Sequence, residues 1–132
     1  MSGSFSLEYA QQIIAKGIAA AQRLKVCVCI SVFDDGANMI AFARMNNTPL
    51  GAIDLAQRKA KTSALFRIPS GDLGRLSGTG QELWSIEHSN NGLASFAGGL
   101  PVYLPDGDFI GAIGISGAKS HEDADIADAC LK

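Results

Sequence analysis

The sequence is poor in the residues that carry most protein chemistry. Only two histidines, three cysteines and one tryptophan occur in 132 residues. No histidine stands at metal-ligand spacing from another histidine or from a cysteine, so a zinc site is not expected. An odd cysteine count does not make a disulfide framework, and Cys27, Cys29 and Cys130 are expected as buried, reduced thiols. Charged residues make up 18% of the chain, the net charge is -2 and no basic run appears, which argues against a nucleic-acid surface. No apolar run approaches the roughly 18 residues of a membrane span. Residues 1–12 hold no basic segment leading into an apolar one, as an export signal would. The expectation is a cytoplasmic protein with neither nucleic acid nor membrane as partner. There is no G-K-[ST] phosphate loop, and "GAIGISG" is spaced G-x-x-G-x-x-G instead of G-x-G-x-x-G, so nucleotide binding is not expected. No Ser-His-Asp arrangement can be read.

What the chain does have is glycine and small apolar residues. Fifteen glycines are present, and hydrophobic residues make up 47%. That composition and length suit one globular domain over residues 1–132, with no repeat and no linker. Behind Ser6, a suitable N-cap, Leu7, Ala10, Ile13, Ile14, Ile18, Ala21 and Leu24 recur at helical spacing and predict a helix over residues 6–25. Residues 26–34 alternate, with Val26, Val28, Ile30 and Val32 on one side and Cys27, Cys29, Ser31 and Phe33 on the other. Both sides are largely apolar, so this strand is expected to be central and covered on both faces. "DDGAN" then turns the chain into "MIAFARM", a β-hairpin by its punctuation.

Residues 50–67 predict a second long helix packed through Leu50, Ile53, Ala56, Ala60, Ala64 and Ile68 and closed by Pro69. The stretch that follows, to Gly92, is irregular and rich in glycine. Short helical turns are expected around Leu73–Leu76 and Glu82–Ile86, and long loops inside compact domains are often functional. "LASFAGGLPVYLP" and "DFIGAIGISG" read as two strands joined by a turn at Pro105–Asp108. Ser120 is the expected N-cap of a last helix; Glu122 stands too near it in sequence for a capping box in that register. The glycines Gly111, Gly114 and Gly117 admit two readings. They allow close packing of a strand or helix, or they make a smooth wall for a flat ligand or a neighbouring subunit.

Four stretches in order, "SVFDDGANMIAFARM", "AQRKAKTSALFR", "GGLPVYLPDGDFIGAIGISG" and "EDADIA", resemble the GlcG/HbpS family of heme-binding and heme-degrading proteins, the DUF336 type. That family also includes a domain appended to PduO-type corrinoid adenosyltransferases. The resemblance covers nearly the whole chain. It implies an α+β, profilin-like fold with a five-stranded antiparallel sheet and helices packed on it. It also implies homo-oligomers, heme binding or breakdown, and a place in operons for small-molecule catabolism. The secreted heme-sensing role is not expected, because no export segment is seen.

The candidate site residues follow from both lines. Arg44 ends an apolar strand, matches the family's "RM" motif, and presents a planar fork suited to a carboxylate or phosphate. The alternative is an ion pair with Asp34 or Asp54. Lys59 and Thr62 lie three apart on one helix face and suit an anionic ligand, or belong to a solvated basic stripe. Glu87 and His88 are adjacent in the glycine-rich loop and suit an acid/base pair, and either His88 or His121 is able to ligate heme iron; all are also ordinary surface residue types. The leading functional expectation is an oligomeric binding protein for heme, another tetrapyrrole or a flat carboxylated molecule, accessory to a catabolic pathway. Gly98, Gly99 and Gly114 would form one wall, and Arg44, Lys59 and Thr62 would hold acid groups. The alternative is a small tautomerase, lyase or hydrolase acting on a small carboxylate. There Arg44 would fix the substrate, and His88 with Glu87 or Asp123 would move protons. A third reading is a structural partner of a larger enzyme.

Overall fold

The computed structural model describes residues 4–132. Helix α1, Leu7–Leu24, starts where the Ser6 hydroxyl accepts from the Tyr9 N–H at 3.1 Å, and it stops at Lys25 in the left-handed conformation. Ala10, Ile13, Gly17, Ala20 and Ala21 form its buried stripe. Gly17 is required there. A Cβ at that position would stand 2.6 Å from Ile30 Cδ1 and 2.8 Å from Cys130 Sγ, so α1 sits hard against the sheet and the last helix.

Strands β1, Cys29–Asp34, and β2, Met39–Arg44, form the expected hairpin. One Asp34 carboxylate oxygen closes its turn by accepting from the Gly36 and Asn38 N–H groups, each at 2.9 Å. Helix α2 spans Gly51–Phe66, α3 Ser70–Ser77, and a single 3-10 turn Ile86–His88. Strands β3, Gly99–Tyr103, and β4, Phe109–Ser116, make a second hairpin, and α4 runs Ser120–Cys130. The described residues form one antiparallel sheet of four strands in the order β2-β1-β4-β3, where the resemblance implied five. "LASFAGG" contributes a strand only from Gly99 onward; Leu93–Gly98 approaches the sheet as an irregular strip.

The alternation of β1 has the expected consequence. Val28, Ile30 and Val32 enter the main core with α1 and α4, while Cys29 packs with Ala52 and Ala56 of α2 on the other face. Of the positions expected to pack, Ala56, Ala60 and Ala64 of helix α2 are buried and Ile53 is half-buried against the Cys29 cluster, whereas Leu50 is 73% exposed. The buried residues of α2 are Ala52, Ala56, Lys59, Ala60, Thr62, Ser63 and Ala64. The reason lies in β4. A Cβ on Gly114 would overlap the Ala56 carbonyl and lie 2.6 Å from the Ala60 nitrogen, so helix and strand touch backbone to backbone and only short side chains fit between them. The N-cap of α4 is Lys119, one residue before the expected Ser120. In that register Glu122 is at the third helical position, and its carboxylate accepts from the Lys119 N–H at 3.1 Å.

Candidate functional site

Two charged side chains meet in the interior at the end of β4. Lys59 comes from α2 and Asp123 from α4, which lie on opposite faces of the sheet, and their side chains are 0% and 3% exposed. The Lys59 ammonium donates to Asp123 Oδ2 at 2.9 Å and to the Ile115 carbonyl at 2.8 Å. The other carboxylate oxygen of Asp123 accepts from the Ala118 N–H at 3.0 Å. Burial pushes the Lys59 amine below its usual range and the Asp123 carboxyl above its own; the hydrogen bond and charge of each partner pull the other way. A pair held this way contributes little net stability while intact and costs much when one partner is removed.

The strip entering β3 is shaped around this pair. Gly98 has φ +131°, and a Cβ there would stand 2.9 Å from Lys59 Nζ. A Cβ on Gly99 would overlap the Lys59 carbonyl and stand 2.9 Å from Ser63 Oγ, a buried hydroxyl with no hydrogen-bond partner among the described residues. The Phe96 ring lies with its centroid 5.0 Å from Lys59 Nζ, within cation–π range. Ser70, at the start of α3, holds the strip from outside. Its hydroxyl donates to the Phe96 carbonyl at 2.7 Å and accepts from the Gly99 N–H at 2.8 Å.

Above the strip lies an open trough. A cavity of about 530 Å³ is lined by Gly71, Gly74 and Arg75 of α3, by Glu87, and by Ser95, Phe96 and Ala97. A smaller hollow of about 160 Å³ shares Gly71, Arg75 and Ala97 with it and continues to Gly98, Gly99 and the α4 residues Ala124 and Ala127. Phe96 is 42% exposed and is the aromatic wall of the trough. Arg75 is paired with Asp72 at the rim. His88 Nε2 lies 3.8 Å from Glu87 Oε1, with the imidazole outside in solvent. His121 is exposed on α4, three residues before Ala124 and thus on the helix stripe that borders the smaller hollow.

The residues singled out from sequence are therefore split among three places. Lys59, Asp123, Gly98 and Gly99 come together beneath the trough, and Glu87 with His88 stands at its edge. Thr62 is buried beside them but fully engaged: its hydroxyl donates to the Arg58 carbonyl at 2.8 Å and accepts from the Ala94 N–H at 3.1 Å. Gly114 faces α2. Arg44 is remote, exposed at the end of β2, where it lines a separate polar cavity with Met45–Thr48 and Leu50. The ion pair suggested for Arg44 is not formed. Asp54 binds Arg58 Nε at 2.6 Å, and Asp34 is occupied by its own turn. Nor is Lys59 part of a solvated stripe, because its spacing from Ala52, Ala56 and Ala60 puts it on the buried side of α2. Sequence reasoning missed Ser70, Arg75 and Phe96. Phe96 carried a signal, an aromatic set among the small residues of "ASFAGG".

Among the described residues no group of three or more His, Cys, Asp or Glu is placed to hold a metal ion, and no helix is long and apolar enough to cross a membrane. The family described as "Haem degrading protein HbpS-like" matches residues 5–132. Protein GlcG of Escherichia coli K12 is 38% identical over 120 residues, which is 84% of this chain and 80% of GlcG. The crystal structure of Klebsiella pneumoniae protein ORFY superposes with a TM-score of 0.92 at 29% identity, covering 96% of this chain and 88% of ORFY. That of a PduOC–heme complex superposes with a TM-score of 0.91 at 29% identity, covering 97% and 93%.

Proposed function

The chain belongs to the HbpS-like family of heme-degrading proteins, and from that premise we propose that it binds heme or a related tetrapyrrole in the trough between α3 and the Ser95–Gly99 strip. The observation that carries this reading is the trough itself, in a fold that a relative uses to hold heme. Its wall is an exposed phenyl ring and a run of glycine and alanine, which suits a flat apolar ligand. Arg75 stands at the rim, where a guanidinium is able to share its pairing between Asp72 and a ligand carboxylate. Neither histidine lines the trough: His88 adjoins Glu87 at its edge with the imidazole in solvent, and His121 lies on α4 three residues before Ala124 of the smaller hollow. These residues fit the group. Phe96 and Ala97 would cover a ring face, Arg75 would hold an acid group, and His88 or His121 would supply an imidazole. Heme, when bound, supplies an iron centre that accepts such a ligand.

The Lys59–Asp123 pair does not touch the ligand in this reading. It fixes the Phe96–Gly99 strip, so the wall is rigid before the ligand arrives. Self-association, a cytoplasmic location and an accessory role in a catabolic pathway complete the proposal. The alternative, an enzyme acting on a small carboxylate, has less support. Arg44 and Glu87 line different cavities, and Asp123 is already engaged by Lys59.

Titration of the purified protein with hemin, followed near the Soret band, tests the proposal. A saturable, stoichiometric shift that is lost in His88→Ala or His121→Ala and weakened in Phe96→Ala supports it. No specific shift overturns the heme reading. A shift unchanged in all three variants overturns the trough.

A further inference from the structure

The buried pair has a chemistry that holding the strip does not use. Lys16, Lys25, Lys119 and Lys132 are exposed and Lys61 is half-buried, whereas Lys59 is fully buried. A desolvated lysine amine is the kind that attacks carbonyl groups, because burial favours its neutral, nucleophilic form. Its proton acceptor is already in place. Asp123 Oδ2 lies 2.9 Å from Lys59 Nζ, and the Ala118 N–H fixes the other carboxylate oxygen at 3.0 Å. Burial lowers the amine and raises the carboxyl, and both changes favour passage of a proton from nitrogen to oxygen.

The amine also stands next to the trough, with Phe96 common to both. The ring centroid is 5.0 Å from Nζ, and the same ring is exposed as a wall of the trough. Gly98 adds no side chain over the amine, since a Cβ there would stand 2.9 Å from Nζ. An exposed side chain changes rotamer within nanoseconds, and the Phe96 ring turns without any need to move the strip that Ser70 holds. We propose that Lys59 is a nucleophile for a small aldehyde or ketone, which enters through the trough past the Phe96 ring and is captured as an imine, with Asp123 carrying the proton. The ammonium first passes a proton to Asp123. The freed nitrogen lone pair attacks the carbonyl carbon, a C–N bond forms, and a proton moves from nitrogen to the carbonyl oxygen to give a hydroxyl. Asp123 protonates that hydroxyl, the C–O bond breaks, water leaves, and the nitrogen lone pair closes the C=N bond. An iminium cation then replaces the ammonium beside a carboxylate, and no oxidant or reductant is consumed. This activity lies beyond tetrapyrrole binding and does not depend on it.

The test is reductive trapping on the full chain, without hemin and near neutral pH. Acetaldehyde is the probe, and cyanoborohydride reduces any imine to a stable amine that mass spectrometry locates after digestion. The expected result is an adduct on Lys59 ahead of the exposed lysines, while buried Cys130 stays closed to a thiol reagent over the same time. Asp123→Asn slows the Lys59 adduct about a hundredfold, because loss of water then lacks its acid. Phe96→Ala leaves the pair intact and speeds it several-fold, so the test stays open even where Asp123→Asn does not fold. Adducts confined to the other lysines, or a Lys59 adduct that appears only together with Cys130 labelling, overturn the proposal. A Lys59 rate unchanged in Phe96→Ala overturns the route past that ring.

Discussion

Replacing Lys59 with Met tests the buried pair most directly. Methionine keeps the length of the side chain and removes its charge. Asp123, 3% exposed, then keeps only the Ala118 N–H as a partner, and the Ile115 carbonyl loses its donor. Removing one member of such a pair costs about 3–5 kcal/mol, against a total stability of about 5–15 kcal/mol for a typical domain. The expected loss in Tm is on the order of 10–20 °C. Lys59→Met combined with Asp123→Leu removes both charges and recovers most of that loss. The assay is urea unfolding followed by far-UV circular dichroism, completed as a double-mutant cycle. The sign of the pH dependence is a second check. Without the ammonium, burial holds the Asp123 carboxyl above its ordinary range. A raised carboxyl contributes stability that is fully present below about pH 4 and lost as pH rises through its folded value. The single variant is therefore nearer to wild type at pH 4 than at pH 7. A loss under about 1 kcal/mol at pH 7, or a double variant less stable than the single one, refutes the reasoning.

Gly114→Ala forces a Cβ against the Ala56 carbonyl, and the expected cost is about 2–3 kcal/mol in the same unfolding assay; an unchanged midpoint would show that α2 moves away freely. Thiol labelling at pH 8 should modify Cys27 first, because Cys29 and Cys130 are buried and react only after unfolding. Burial pushes the Cys130 thiol up to about 12. Its contribution is fully present below pH ~9 and disappears as pH rises toward 12, so the native protein loses stability across that window and Cys130→Ala flattens the loss.

Elements whose signal is local and periodic were legible. The α1 stripe, the two-faced β1, and the turns at Asp34 and Asp106 follow from side-chain spacing and from Asx chemistry within a few residues. The packing face of α2 was legible in Ala56, Ala60 and Ala64 but not in its end or its buried Lys59, because hydrophobicity alone ranks the exposed Leu50 above alanine. What decides the face is a glycine on a strand more than fifty residues away, which admits only the short side chains. The N-cap of α4 was misplaced by one residue for a related reason. Ser120 has the better capping side chain, but Glu122 reaches back to the Lys119 N–H and sets the start there.

The sequence by itself determined the α+β class, the main hairpins, the helix stripes, the family and the poverty of catalytic groups. These depend on residues near one another in the chain or on motifs that survive as words. Only the tertiary structure decided what the charged residues do. Lys59 and Asp123 are 64 residues apart and read separately, one as an anion-binding or solvated lysine and the other as a proton-moving carboxylate; they become one interior pair because α2 and α4 converge at the end of β4. Arg44 and Glu87, joined in a single expected site, line different cavities for the same reason. The position of a side chain in space is set by sheet order and helix approach, and neither is written in the spacing of the residues that carry the charge.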